Sequence, residues 1–264
     1  MRDVSRGTLE EAPKEIDEER RYPFGRKLTR RPPSADGQRA LFVLGAYPSA
    51  LHVEWKPASG KRVRAIPIDD EPEPFWNGID ATERVAAWLD WLQPSPSLHG
   101  TFRTPPRLNG SSGAWVDTMV LEPLGYDRSS TWITDCLDTY RMSTGVAARI
   151  KDTYDAADLP SCHLDPHPSE KAIVQEALAL HSSRLLAELH QSRPDTIATL
   201  GNAAARVFAE LVGLPQQKLS PDPYGIVRIV DVSGREVRWY PLAHPAAPEA
   251  YQAAHADWVR KASA

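Results

Sequence analysis

Apolar residues along this chain fall into short runs, and each run ends on a residue with chemistry. Leu41-Phe42-Val43-Leu44 is unbroken, stops at Gly45 and turns through Pro48 and Ser49. A continuous apolar run of this length predicts a strand buried on both faces, and the Gly/Pro turn predicts a loop at its carboxyl end. The pattern recurs in Thr131-Trp132-Ile133-Thr134, ending in Asp135, and over residues 196–200 (TIATL), ending in Gly201-Asn202. Residues 224–232 and 236–242 pair as a hairpin about Ser233-Gly234, and the second arm ends at His244-Pro245. Residues 62–68 read as a further extended piece.

Between these runs the apolar spacing turns helical. Residues 80–92 place Val85, Trp88, Leu89 and Leu92 on one face, with Thr82 as a cap. Residues 114–124 follow, ending near Gly125. Residues 169–190 carry Ile173, Ala177, Leu178, Leu185, Leu186 and Leu189 behind a Ser169 N-cap. Residues 203–211 and 249–258 complete the set, and residues 98–113 read as a long Gly-, Pro-, Ser- and Arg-rich loop. Strands separated by helices predict an α/β fold, a parallel sheet covered on both faces. Ligands bind such sheets at the carboxyl ends of the strands. Gly45, Asp135, Gly201 and His244 are therefore expected around one crevice, unless the turn at residues 45–49 merely leads from strand to helix.

Composition changes this picture little. The chain has 264 residues, 41% of them hydrophobic, enough for one sizeable core. Residues 1–38 are charge-dense and read as a partly flexible arm, with at most a solvated helix over 10–21. Arg26-Lys27 and Arg30-Arg31 in that arm suit a phosphate backbone or a plain linker. One domain is expected over 39–264. No apolar run spans a bilayer, and no apolar secretory segment stands at the N-terminus. Two cysteines, Cys136 and Cys162, make neither a disulfide framework nor a four-thiolate cluster. A cytoplasmic, monomeric protein without metal or other cofactor is expected; Cys162-His163 with His167 is read as loop. The net charge of −4 gives no overall pull toward nucleic acid but permits a local basic face.

Taken in order, four stretches resemble the uracil-DNA glycosylase superfamily, in its compact bacterial and archaeal branches. Gly45-Ala46-Tyr47-Pro48-Ser49 is similar to its first motif, a Gly-x-x-Pro loop after the first strand. Residues 110–135 are similar to its Gly-rich loop, helix and base-reading strand. Residues 169–208 are similar to its long helix followed by strand-Gly-x-Ala-Ala-helix. Pro241-Leu242-Ala243-His244-Pro245-Ala246 is similar to its closing His-Pro motif. The resemblance covers residues 41–247. It implies a three-layer α/β/α domain with a central four-stranded parallel sheet. It also implies hydrolysis of an N-glycosidic bond in DNA after the nucleotide is flipped out of the duplex.

The resemblance assigns roles and exposes departures. Hydrolysis leaves an anionic base, which a hydrogen bond from His244 would stabilise. Where several branches carry an acid or amide in the first motif, this chain has Ala46 and Tyr47, neither a base at neutral pH. Water positioning then falls to Glu54, the nearest carboxylate after the first motif, and to Asn109 of the Gly-rich loop. The base-reading strand ends in Asp135 where uracil readers usually have Asn. An ionised Asp only accepts hydrogen bonds, which suits an amino edge such as cytosine N4 and repels uracil O4. A modified cytosine is therefore expected over uracil, although protonated Asp135 would still pair with uracil. Tyr47 would wall the pocket beside Ala46, and Phe75, Trp76 or Phe102 would stack on the base. Pro48, Ser49, Ser111, Ser112 and Asn202 sit on turns suited to DNA phosphates, with Arg103 and Arg107 adding positive charge. DNA, single- or double-stranded, is the expected partner, in base-excision repair or in defence against phage with modified DNA. The competing readings are ordinary uracil excision, a catalytically silent DNA-binding relative, and a serine hydrolase using Ser49, His244 and Asp135.

Overall fold

The computed structural model describes residues 20–58, 60, 63–154, 162–215 and 218–262. Five strands form the central sheet: β1 (Leu41–Gly45), β5 (Thr131–Asp135), β6 (Thr196–Leu200), β7 (Arg228–Val232) and β8 (Arg235–Leu242), in the order β5-β1-β6-β8-β7. The first four in that order run parallel; β7 joins antiparallel at the edge through a turn at Ser233 and Gly234, both at positive φ. The sheet thus has one strand more than the four-stranded parallel arrangement, supplied by the hairpin.

Register explains why the apolar runs are continuous. Trp132, Phe42, Ile197 and Trp239 stand side by side across four strands, as do Ile133, Val43 and Ala198 one residue further on. Alternate side chains point to opposite faces, and helices cover both. On the Phe42 face pack the helix over 170–192 (α4) and Asn202–Leu211 (α5), through Ala177, Leu185, Leu189 and Phe208. On the Val43 face pack the helix over 111–124 (α2) and Glu249–Ala262 (α6), through Val116, Val120, Leu121 and Trp258. Each such aromatic or branched side chain taken out of water contributes roughly 1.5–3 kcal/mol. A π-type turn at Ala177–His181 inserts one extra residue in α4. Ile173 before it, Ala177 at its start, and Leu185 and Leu189 after it all share the buried face. Ser169 caps α4 by accepting from the Ala172 N–H at 3.2 Å.

Beyond the turn at residues 46–49 the chain enters a second strand, β2 (Ala50–Lys56), and not a helix. It is the middle strand of a three-stranded antiparallel sheet with β3 (Val63–Asp70) and the short β4 (Thr101–Arg103). β4 and the first turn of α2 both fall within the stretch expected to be loop. The small sheet has its own core: Val53, Trp55, Ile66 and Ile68 pack on Val85 and Trp88 of α1 (Ala81–Leu92) and on Ile150 of α3 (Thr144–Tyr154).

The described part of the expected arm is packed into this core. Tyr22 is fully buried, and Phe24 and Leu28 nearly so; Phe24 meets Trp55, Trp88 and Phe102 edge-on. Apolar side chains placed among charges escape a composition-based reading, yet three of them anchor the segment. Residues 29–34 then bind both sheets. Thr29 N–H reaches Asp70 at 3.0 Å. The Arg31 guanidinium pairs with Asp70 at 2.8 Å, and Ser34 exchanges two hydrogen bonds with the backbone of Ile133 on the edge strand β5. Residues 1–19, which contain most of the expected solvated helix, lie outside the described residues. Among the described residues no helix is long and apolar enough to cross a membrane.

Candidate functional site

The parallel strands end at a crevice of about 500 Å³ lined by Ala46, Tyr47, Pro48, Ser49, Ser112, Asp135 and His244. The pairing Gly45↔Asp135 sets these two residues side by side on adjacent strand ends. Asp135 is buried, and neither carboxylate oxygen has a hydrogen-bond partner among the described residues. Its backbone is held instead: Arg184 of α4 donates to the carbonyls of Asp135 (2.7 Å) and Cys136 (3.0 Å) and to Thr134 Oγ1 (3.1 Å). Burial, only partly offset by the Arg184 charge, lifts the Asp135 carboxyl to about 7. Gly45 is required here. A Cβ on it would lie 2.1 Å from Asp135 Oδ1 and 2.4 Å from the Phe75 ring.

Phe75 lines the same crevice and is buried. Its backbone sits at φ +51, a conformation that costs a non-Gly residue about 1–3 kcal/mol. The surroundings hold it there. Arg128 Nη2 donates to the Phe75 carbonyl at 2.6 Å while Nε pairs with Asp117 at 2.8 Å. The first turn of α2 approaches so closely that a Cβ on Gly113 would meet the Phe75 carbonyl at 2.0 Å.

His244 is half-buried, and burial lowers its pKa, which keeps the ring neutral near neutral pH. Nδ1 accepts the Ala246 N–H at 3.1 Å, so the ring proton resides on Nε2, which is left to donate. The neighbouring Ala243 N–H donates to Tyr224 Oη at 2.7 Å, Tyr224 donates to His255 Nδ1 at 2.6 Å, and His255 Nε2 donates to the Met119 carbonyl at 2.9 Å. This chain ties the His244 loop to α6 and α2.

Other residues from the sequence reading stand elsewhere. Glu54 pairs with Arg103 across β2 and β4, in a separate hollow formed by these two strands. Asn109 is committed to the backbone: Oδ1 accepts the His52 N–H at 2.9 Å and Nδ2 donates to the His52 carbonyl at 3.0 Å. Neither lines the crevice. Phe102 and Trp76 pack in the small sheet's core. Asn202 accepts the Leu219 N–H at 2.8 Å, fastening a loop. Ser111 and Arg107 are exposed and flank the lining residues Ser112 and Leu108 at the rim. A Ser-His-Asp relay does not form, because the His244 nitrogen that would meet a carboxylate already holds the Ala246 N–H.

The structure adds residues that the sequence reading passed over. Glu71 lines the crevice, is buried, and accepts the Ser49 N–H at 2.8 Å. Burial first, then the Asp135 charge, lifts its carboxyl to about 8. Tyr47 hydrogen-bonds His167 across the crevice, with ring centroids 5.5 Å apart; burial and the Asp135 charge push its phenol up to about 12, so it stays neutral. Tyr140, Arg141 and Ser143 complete a polar wall. The only signal for Glu71 in the sequence is an acid next to a proline at a strand end. Among the described residues no three His, Cys, Asp or Glu side chains are grouped to hold a metal ion. No family model matches the chain, and no curated protein matches it either.

Proposed function

We propose that this chain is a DNA glycosylase of the uracil-DNA glycosylase type, which excises a modified cytosine from DNA and leaves an abasic site. The observation that carries the reading is Asp135. A buried carboxylate costs several kcal/mol unless something donates to it, and this one lies unpartnered on the floor of a crevice that also holds an imidazole N–H. A pyrimidine entering edge-first supplies the missing partner: ionised Asp135 accepts from an N4 amino group, and protonated Asp135 also donates to N3. Phe75, held above Gly45, stacks on the base. His244 Nε2–H donates to the carbonyl oxygen of the leaving base as the electron pair of the C1′–N1 bond moves onto it.

Four parallel strands with helices on both faces, and the motif order along the chain, fit the family's three-layer fold. The polar wall of Tyr47, Tyr140, Arg141, Ser143 and His167 suits a hydrophilic substituent at C5. Ser49, Ser112, Ser111 and Arg107 at the rim suit the flanking phosphates. The protein acts as a cytoplasmic monomer on this reading.

The test is mass-spectrometric detection of free base from DNAs carrying uracil, hypoxanthine, 5-substituted cytosines or glucosylated bases. Release of a modified cytosine in preference to uracil supports the proposal. Release of uracil alone favours deamination repair, and DNA binding without release favours a silent relative.

A further inference from the structure

With Glu54 and Asn109 committed elsewhere, the crevice still lacks the group that handles water, and Glu71 is a buried carboxylate that lines it. We infer that Glu71 holds the attacking water and takes its proton. The inference rests on the glycosylase reading and adds the residue that reading leaves out.

The placement follows from strand register. Ala50 pairs with Asp70 where β2 and β3 run antiparallel, so the next residue, Glu71, falls beside Ser49 at the end of the turn after β1. Ser49 N–H holds Oε1 at 2.8 Å, and Oε2 has no hydrogen-bond partner among the described residues. The carboxylate is therefore oriented by one oxygen and available at the other. Asp135, Ser49 and Glu71 line the same crevice, close enough that the Asp135 charge acts on the Glu71 carboxyl.

The step balances. Water oxygen bonds to C1′ as the C1′–N1 bond breaks. The bonding pair leaves with the base, whose charge the His244 N–H stabilises. One water proton passes to Glu71 Oε2 and from there to solvent, and the released base gains its proton from solvent. Glu71 must be ionised to act. Around it stand Asp135 at the end of β5, Asp70 on β3, Arg31 from the segment that joins the sheets, and the Ser49 N–H from the turn; His244 lines the same crevice. Two neighbouring carboxylates and burial oppose ionisation, while Arg31 and Ser49 favour it.

The decisive experiment is single-turnover base release by Glu71→Gln against pH, beside wild type and Glu54→Gln. The Gln carbonyl keeps the Ser49 hydrogen bond but cannot take a proton. The expected result is a fall of roughly 10²–10³-fold in release rate, with DNA affinity within a few-fold of wild type and Glu54→Gln unaffected. Wild-type release should rise with pH and level off above about pH 8, and the residual Gln rate should lack that limb. A Glu71→Gln protein as fast as wild type overturns the inference while leaving the glycosylase reading intact. Should Glu71→Gln fail to fold, a wild-type rate that does not rise toward pH 8 overturns it equally. A wild-type protein that binds DNA but frees no base overturns the glycosylase reading itself, and the inference with it.

Discussion

The two sheets divide the work of this molecule unequally. In the parallel sheet β1, β5 and β6 are buried along their whole length, and the polar groups the sheet offers the crevice stand at strand ends: Asp135 at the end of β5, the 46–49 turn after β1, His244 after β8. The small antiparallel sheet alternates, bulges between Leu51 and His52 and between Val53 and Trp55, and has its core on one side. It gives the crevice one buried acid, Glu71, together with the support that keeps it there. A rigid sheet presents fixed groups at its ends, whereas a bent one can carry a group sideways into a site built by its neighbour.

The largest expected effect is on the parallel sheet's side. His244→Ala should lower base release about 10²–10³-fold, a size measured for lost donors to a developing anion, with DNA affinity nearly unchanged in a filter-binding assay. A His244→Ala enzyme of normal rate would remove the parallel sheet from the chemistry. Next comes the joint between the sheets. Arg31 and Asp70 are about nine-tenths buried as a pair, and truncating one partner of such a pair costs about 3–5 kcal/mol. Arg31→Ala should therefore lower the melting temperature by roughly 6–20 °C for a chain of this size; an unchanged melting curve would show that the sheets do not depend on this tie.

A third prediction concerns the two raised carboxyls. Unfolded Asp and Glu lose their protons near pH 4, whereas Asp135 and Glu71 keep theirs up to about 7 and about 8. Between those values the folded state binds more protons, so these groups make stability fall as pH rises from about 4 to about 8. Asp135→Asn should accordingly melt higher than wild type at pH 8 and close to wild type at pH 4. The same substitution should shift preference toward uracil by about 1–3 kcal/mol, read as the ratio of release rates on paired substrates. Unchanged preference would leave Asp135 a structural residue. The smallest effect belongs to Glu54 and Arg103. Their pairing lies partly in solvent, with Arg103 62% exposed, and Arg103→Ala should cost less than about 1 kcal/mol and leave base release unaltered.

The same contrast explains what the sequence made legible. Strands buried on both faces announce themselves as unbroken apolar runs, so β1, β5 and β6 and the residues ending them could be placed before any coordinates, and with them His244, Asp135 and Tyr47. Of the small sheet only β3 was legible, as the extended piece over 62–68, and its partners β2 and β4 were not. In β2 His52 and Glu54 interrupt the apolar positions, β3 contains Pro67, and the bulges that set their register depend on tertiary packing. Glu71 is invisible without that register. Asn109 and Asn202 misled for a related reason: an Asn beside Gly suits a ligand-binding turn and a backbone-fastening turn equally well, and here both fasten backbone.

The segment over 20–34 has a bearing on how the molecule is made. Its partners emerge long after it does: Tyr22 waits 48 residues for Asp70, Ser34 waits 99 for Ile133, and Arg21 bridges to His163. On a ribosome adding about 5–20 residues each second, this early stretch spends seconds with Tyr22 and Phe24 exposed. Both sheets must exist before it can lie down across them. The first stretch of the described chain to be synthesised is therefore among the last to find its place, and variants in it should show themselves first as poor yield and aggregation during expression.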